Sequence, residues 1–151
     1  LRLCHDRLQQ AMAQAARSQT LMAVFYVDLD GFKPVNDTYG HDAGDQVLKE
    51  AAQRMRGCFR EVDTVSRIGG DEFLILLTGL GFRDVVVPLA DRLLSSFADE
   101  FKFDEGGTNI GASVGIAFFN GASDTPESLI KRADKAMYDA KKNGKNRYSI
   151  A

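Results

Sequence analysis

Two pairs of carboxylates are the residues best placed to do chemistry. Asp28 and Asp30 follow directly on the seven-residue apolar run at 21–27. Side chains two apart on a strand share a face, so both carboxylates should point together at the strand's end. Like charges that close repel unless a cation or water lies between them. A strand end meeting solvent, with an Asx turn into Gly31, would explain the same pair without any ligand. The second pair, Asp71 and Glu72, follows Gly69-Gly70, a tetrad that taken alone is a polar turn. A buried first strand and a central hairpin are natural neighbours in one sheet, so the two acidic tips could converge. Carboxylates converging without His or Cys select a hard cation. Mg²⁺ characteristically takes one or two of them and leaves its other positions to water and phosphate oxygens.

Basic residues could complete a phosphate site. The stretch Lys141-Lys142-Asn143-Gly144-Lys145-Asn146-Arg147 closes the last helical segment. Cations at a helix C-terminus favour the dipole and need no ligand to explain them. Beside an acidic metal site, Lys141 and Lys145 would supply fixed positive charge for a triphosphate. The short turn Gly31-Phe32-Lys33 offers main-chain N–H groups for the same purpose. Neither G-x-x-x-x-G-K-[ST] nor G-x-G-x-x-G occurs, so nucleotide would have to bind by another route.

The elements that must position these residues follow from hydrophobic periodicity. Residues 3–17 read as a helix, with Leu8, Met12 and Ala15 at helical spacing. The continuous run at 21–27 is too short for a helix and rich in β-formers, the pattern of a strand buried on both faces. Residues 36–40 read as a polar break. From Asp42 a longer helix carries Val47, Leu48, Ala51, Ala52, Met55 and Phe59 on one stripe. Residues 64–68 and 73–77 read as a β-hairpin around Gly69-Gly70. A helix from Asp84 has Pro88 in its first turn and Leu89, Leu93, Phe97 and Phe101 as its inner face. Residues 109–119 read as a long strand. Thr125-Pro126-Glu127 opens a helix with a capping hydroxyl, and Asn143-Gly144 closes it before a last strand at 146–150. The order α-β-α-α-β-β-α-β-α-β, with a central hairpin, predicts an α+β fold with helices over a mixed sheet.

Composition sets the outer limits. The 151 residues suit one domain, and 44% hydrophobic with 26% charged residues is a globular balance. Nineteen Lys and Arg against 21 Asp and Glu give a net charge of −2, which excludes a nucleic-acid binder driven by bulk charge and a long acidic tail. Cys4 and Cys58 lack metal-ligand or disulfide-framework spacing and are expected as reduced, buried thiols. The longest apolar run falls far short of a membrane span.

Arg67-Ile68-Gly69-Gly70-Asp71-Glu72-Phe73 resembles the signature of the GGDEF domains, the diguanylate cyclases of bacterial signalling. A second segment, Asp28-Leu29-Asp30-Gly31-Phe32-Lys33-Pro34-Val35-Asn36-Asp37-Thr38-Tyr39-Gly40-His41 with Gly44-Asp45, is similar to another motif of that family. A third is Ala133-Asp134-Lys135-Ala136-Met137-Tyr138 with Ala140-Lys141 and Asn143-Gly144-Lys145-Asn146. Together they run in the right order over nearly the whole chain. The family's opening Asp-x-Leu-Thr-x-Leu-x-Asn-Arg is missing, with Leu1-Arg2-Leu3 at most its tail. Residues 1–151 are therefore expected to form a single domain cut from a longer signalling protein.

The resemblance implies a palm-like, nucleotidyl-cyclase-like fold with a central, mostly antiparallel five-stranded sheet flanked by helices. It implies the condensation of two GTP into cyclic di-GMP with release of two pyrophosphates, across a homodimer in which each domain holds one GTP. Asp28, the Leu29 carbonyl, Asp71 and Glu72 are implied around divalent metal, Mg²⁺ or Mn²⁺, two per active site. Asp71 and Glu72 are implied as catalytic, with deprotonation of the ribose 3′-OH open between Asp71 and a metal-bound hydroxide. Asn36 and Asp45 would read guanine, whose N1–H and N2–H groups a carboxylate can accept. Phe32, Lys33, Lys141 and Lys145 would surround the phosphates. Arg60, Asp63 and, on the next helix, Arg92 would form a product-inhibition site for cyclic di-GMP. An upstream sensor domain, a cytoplasmic location (with a parent able to sit in the membrane) and no nucleic-acid partner complete the expectation. The rival is a catalytically silent GTP- or cyclic-di-GMP-binding module regulating an attached phosphodiesterase.

Overall fold

The structure is a computed structural model that describes residues 2–151; Leu1, in the expected motif remnant, lies outside the described residues. Its centre is β1 (Leu21–Asp30), whose apolar run is buried on both faces and continues through Asp28 and Asp30. The strand pairs antiparallel with β3 (Glu72–Leu80) on one side and with β6 (Gly111–Phe118) on the other. β2 (Thr64–Gly69) lies outside β3 and β7 (Arg147–Ile150) outside β6, giving the order β2-β3-β1-β6-β7 with only the β6–β7 pair parallel. The expected five-stranded, mostly antiparallel sheet is present.

Alternation along β1 divides the core. Ala23, Phe25, Val27 and Leu29 face α2 (Phe32–Tyr39), α3 (His41–Cys58) and α4 (Val86–Ser96). Met22, Val24 and Tyr26 face α1 (Arg2–Ser18) and α5 (Pro126–Lys142). Asp28 and Asp30 continue the second set, so they lie on the side that α5 covers. That helix starts as its sequence predicts, with a Thr125–Ser128 capping box and Pro126 in the first turn. It runs against β6 so closely that a Cβ on Gly115 would lie 1.9 Å from the Ala133 carbonyl oxygen. This contact fixes how the last turn of α5, with Lys141, approaches the sheet.

Two expectations are corrected. Residues 36–39 are helical, and the chain breaks only at Gly40 (φ 91°). Buried Phe32 and Val35 anchor this short helix despite its polar end. The helix after the hairpin ends at Ser96, and Phe101 belongs instead to a small hairpin of β4 (Phe101–Phe103) and β5 (Gly106–Thr108). Phe97 and Phe101 still meet edge to face, with ring centroids 5.3 Å apart, so packing preserves the helical spacing without a helix. Arg54 of α3 stabilises this bend by donating to the carbonyls of Ser96, Asp99 and Glu100 at 2.8–3.1 Å. Both cysteines are free and buried as expected. Among the described residues no helix is long and apolar enough to cross a membrane.

Candidate active site

Pairing between β1 and β3 places Asp28 directly opposite Glu72. One residue on, the Leu29 N–H donates to the Asp71 carbonyl oxygen at 3.1 Å. The end of β1 is thereby tied to the Gly-Gly hairpin tip, and the two acidic clusters converge. Gly69 (φ 152°) and Gly70 (φ 49°) supply the positive φ values of that tip. The Arg67 Nε–H donates to the Gly70 carbonyl at 2.8 Å and closes it.

The three strand-end carboxylates have different environments. Asp30 is satisfied: the Ser113 hydroxyl lies 2.9 Å from each of its oxygens, and the Asn146 N–H donates to Oδ2 at 3.0 Å. Glu72 accepts from the Tyr26 hydroxyl at 3.1 Å. Asp28 is buried, and its Oδ1 has no hydrogen-bond partner. Its Oδ2 lies 3.1 Å from Lys141 Nζ, which is also 3.8 Å from Asp30 Oδ1. Burial pushes the Asp28 carboxyl up to about 6; Asp71 and Glu72 add to the rise and Lys141 opposes it. Burial would depress the Lys141 ammonium, but Asp28, Asp30 and Asp71 outweigh it and hold the pKa above its ordinary value. Tyr26 is raised by burial and by Glu72, which keeps its hydroxyl a donor.

The remaining predicted residues are spread around this tip. Lys145 lines a recess of about 380 Å³ together with Asp30, Asn109 and Asn146. Lys33 is exposed on α2, whereas the Phe32 ring is in the core, leaving only its backbone for an anion. Asn36 is half-buried, its carboxamide against Gly44, where a Cβ would meet Oδ1 at 1.8 Å. Exposed Asp45 lines an open groove of about 470 Å³ beside β2, with Lys49, Arg56, Arg67 and Phe73.

Arg60 and Asp63 form a separate unit. The Arg60 guanidinium holds the Asp63 carboxylate at 2.9 and 3.2 Å and also donates to the Thr78 carbonyl oxygen. The Arg60 backbone N–H caps the same carboxylate at 2.9 Å. Together they line a cavity of about 480 Å³. Arg92 caps the end of α3 through the Cys58 carbonyl at 3.2 Å, two residues before Arg60.

The donor set at the hairpin tip fits a divalent cation. Asp28 presents a partnerless buried oxygen, Glu72 lies across the ladder, and Asp71 joins them through its backbone. Among the described residues no three His, Cys, Asp or Glu side chains form a ready-made cage. A hard cation completed by a carbonyl and by substrate oxygens needs none. Sequence reasoning did not single out Tyr26, Ser113 or Asn146 for these contacts.

Fold and site define the class: a palm-like α+β domain with carboxylates at the ends of adjoining antiparallel strands. Within that class the chain belongs to the GGDEF domain family, described as "Diguanylate cyclase, GGDEF domain", which matches residues 2–147. It is 43% identical over 146 residues to the bifunctional diguanylate cyclase/cyclic di-GMP phosphodiesterase MucR of Pseudomonas aeruginosa, covering 97% of this chain and 21% of that protein. The crystallised GGDEF domain of TpbB (YfiN) from the same species superposes with a TM-score of 0.93 at 37% identity, over 99% of this chain and 93% of that one. The GGDEF domain of DgcB from Caulobacter crescentus, solved in complex with c-di-GMP, gives 0.86 at 28% identity, over 97% and 84% of the two chains. The chain spans only about a fifth of MucR.

Proposed function

We propose that this domain is a diguanylate cyclase, joining two GTP into cyclic di-GMP and releasing two pyrophosphates. The observation that carries the reading is the partnerless, buried Asp28 Oδ1 beside Asp71 and Glu72 at the hairpin tip. Asp28, Asp71, Glu72 and the Leu29 carbonyl would hold Mg²⁺ or Mn²⁺, two per site with substrate bound. When bound, such ions neutralise charge on the oxygens of the transferring phosphoryl group. Lys141, Lys145, Lys33 and the backbone at Phe32 orient the phosphates. Asn36 and Asp45 select guanine, whose N1–H and N2–H donors adenine lacks.

Each new phosphodiester joins the 3′-oxygen of one nucleotide to the α-phosphorus of the other, so two domains must face each other as a homodimer. Arg60 and Asp63, with Arg92 nearby, form the inhibitory site for the product. DgcB in complex with c-di-GMP supports product recognition within this family. The parent protein would couple the domain to an upstream sensor in the cytoplasm.

The test is incubation of the chain with GTP and Mg²⁺, with dimerisation enforced by a fused coiled coil. Cyclic di-GMP and pyrophosphate should appear together, and Asp71→Ala should abolish both. GTP binding without turnover would overturn the enzymatic reading in favour of a regulatory module.

A further inference from the structure

Lys141 carries a conflict of partners. The reading above gives it to the triphosphate, yet its Nζ lies 3.1 Å from Asp28 Oδ2, on the carboxylate assigned to metal. Asp30, at 3.8 Å, does not require it, because Ser113 and the Asn146 N–H already satisfy that side chain. Asp28 has no other polar partner: its second oxygen is buried and unbonded. An ammonium and a dication on one carboxylate repel each other at contact distance. Lys141 is in the last turn of α5, its side chain 29% exposed. Its four-carbon stem can therefore swing without moving the helix, whose packing over Gly115 is tight.

We propose that Lys141 is an exchangeable counter-ion: it holds Asp28 in place of a divalent cation and releases it when a triphosphate accepts the lysine. Metal and nucleotide then enter as a pair, each strengthening the other by the same factor. The lysine thus opposes metal binding when nucleotide is absent and supports it when nucleotide is present. This rests on the assignment of Asp28 to metal.

The experiment is a Mn²⁺ titration of the 151-residue chain at pH 8, following the EPR signal of the free ion. It is run alone and with the α,β-methylene analogue of GTP, with analogue lacking protein as the blank. Lys141→Met should bind Mn²⁺ alone about ten-fold more tightly than the unmodified chain, and the analogue should add less to its affinity. Lys141→Arg, which restores a charged and flexible side chain, should return the low affinity for metal alone. Thermal melts establish that each variant is folded. Equal or weaker binding of Mn²⁺ alone by folded Lys141→Met overturns the proposal and leaves the cyclase reading standing. If Asp28→Asn retains full Mn²⁺ binding with the analogue, the assignment of Asp28 to metal fails, and the exchange fails with it.

Discussion

The hydroxyl of Tyr26 donates to Glu72 Oε1 at 3.1 Å across the β1–β3 ladder, on the face that also carries Asp28. Tyr26 is buried, so its ring packs in the core while its hydroxyl meets an acidic residue of the signature. Tyr26→Phe retains the ring and removes only the donor. The expected loss of stability is about 1.5–3 kcal/mol, the net value of a hydrogen bond to a charged group. Because Glu72 loses its fixed orientation, kcat should fall several-fold while KM for GTP is maintained. Urea unfolding and steady-state kinetics measure the two effects separately. An unchanged kcat would show that the hydroxyl serves packing alone.

The sequence makes some of this arrangement visible and hides the rest for physical reasons. A strand buried on both faces is continuously apolar, so β1 stands out, and the carboxylates that end it stand out with it. For the same reason Tyr26 does not: inside such a run no polar alternation marks one ring as a hydrogen-bond donor. Ser113 holds Asp30 from 83 positions away, a contact set by the register of β1 on β6. Composition carries no trace of that register. Phe97 and Phe101 keep helical spacing in a segment that is not helical, because the core rewards where the rings meet rather than how the backbone brings them there. The Gly-Gly hairpin and the Thr125-Pro126 helix start were legible because each depends on local backbone geometry.

Burial raises the Asp28 carboxyl to about 6 from an ordinary value of 3.8, and this fixes a direction for stability against pH. The folded chain binds this proton more tightly than the unfolded chain does. Stability therefore falls as pH rises through the window between these values, and the cost is fully present above it. Asp28→Asn, nearly isosteric and uncharged, should remove this cost. Its stability relative to the unmodified chain should grow from about pH 4 to about pH 7 in urea unfolding without divalent ions. Parallel stability curves would contradict the raised value.

Arg60→Ala should relieve inhibition by cyclic di-GMP, raising its half-inhibitory concentration by about ten-fold or more, the scale on which losing a charged hydrogen-bond partner acts. The structure adds a second consequence. The Asp63 side chain is only 3% exposed and takes its side-chain bonds from Arg60. Its carboxylate would be left with the backbone cap alone, so a fall in melting temperature should accompany the relief. Arg60→Lys, which retains charge without the fork, should recover more of the stability than of the inhibition. An unchanged half-inhibitory concentration in Arg60→Ala would remove the regulatory site.

Gly44→Ala separates the guanine assignment from the fold. Gly44 is a buried position of α3, and a Cβ there would lie 1.8 Å from Asn36 Oδ1 and 2.8 Å from its Cγ. The next contact is Phe32 Cζ at 3.3 Å, so the Asn36 carboxamide must move and the Phe32 ring must give by a few tenths of an ångström, while the backbone need not shift. A rotamer change there is inexpensive, and alanine gains about 1 kcal/mol of helix propensity over glycine. The melting temperature should therefore change little. The displaced carboxamide, however, can no longer face the base, and losing one hydrogen bond to the substrate should raise KM for GTP by about ten-fold. Isothermal titration with the α,β-methylene analogue should show the same weakening without turnover. If affinity is retained in the folded variant, Asn36 does not read guanine, and its place against Gly44 serves only to pack α2 on α3.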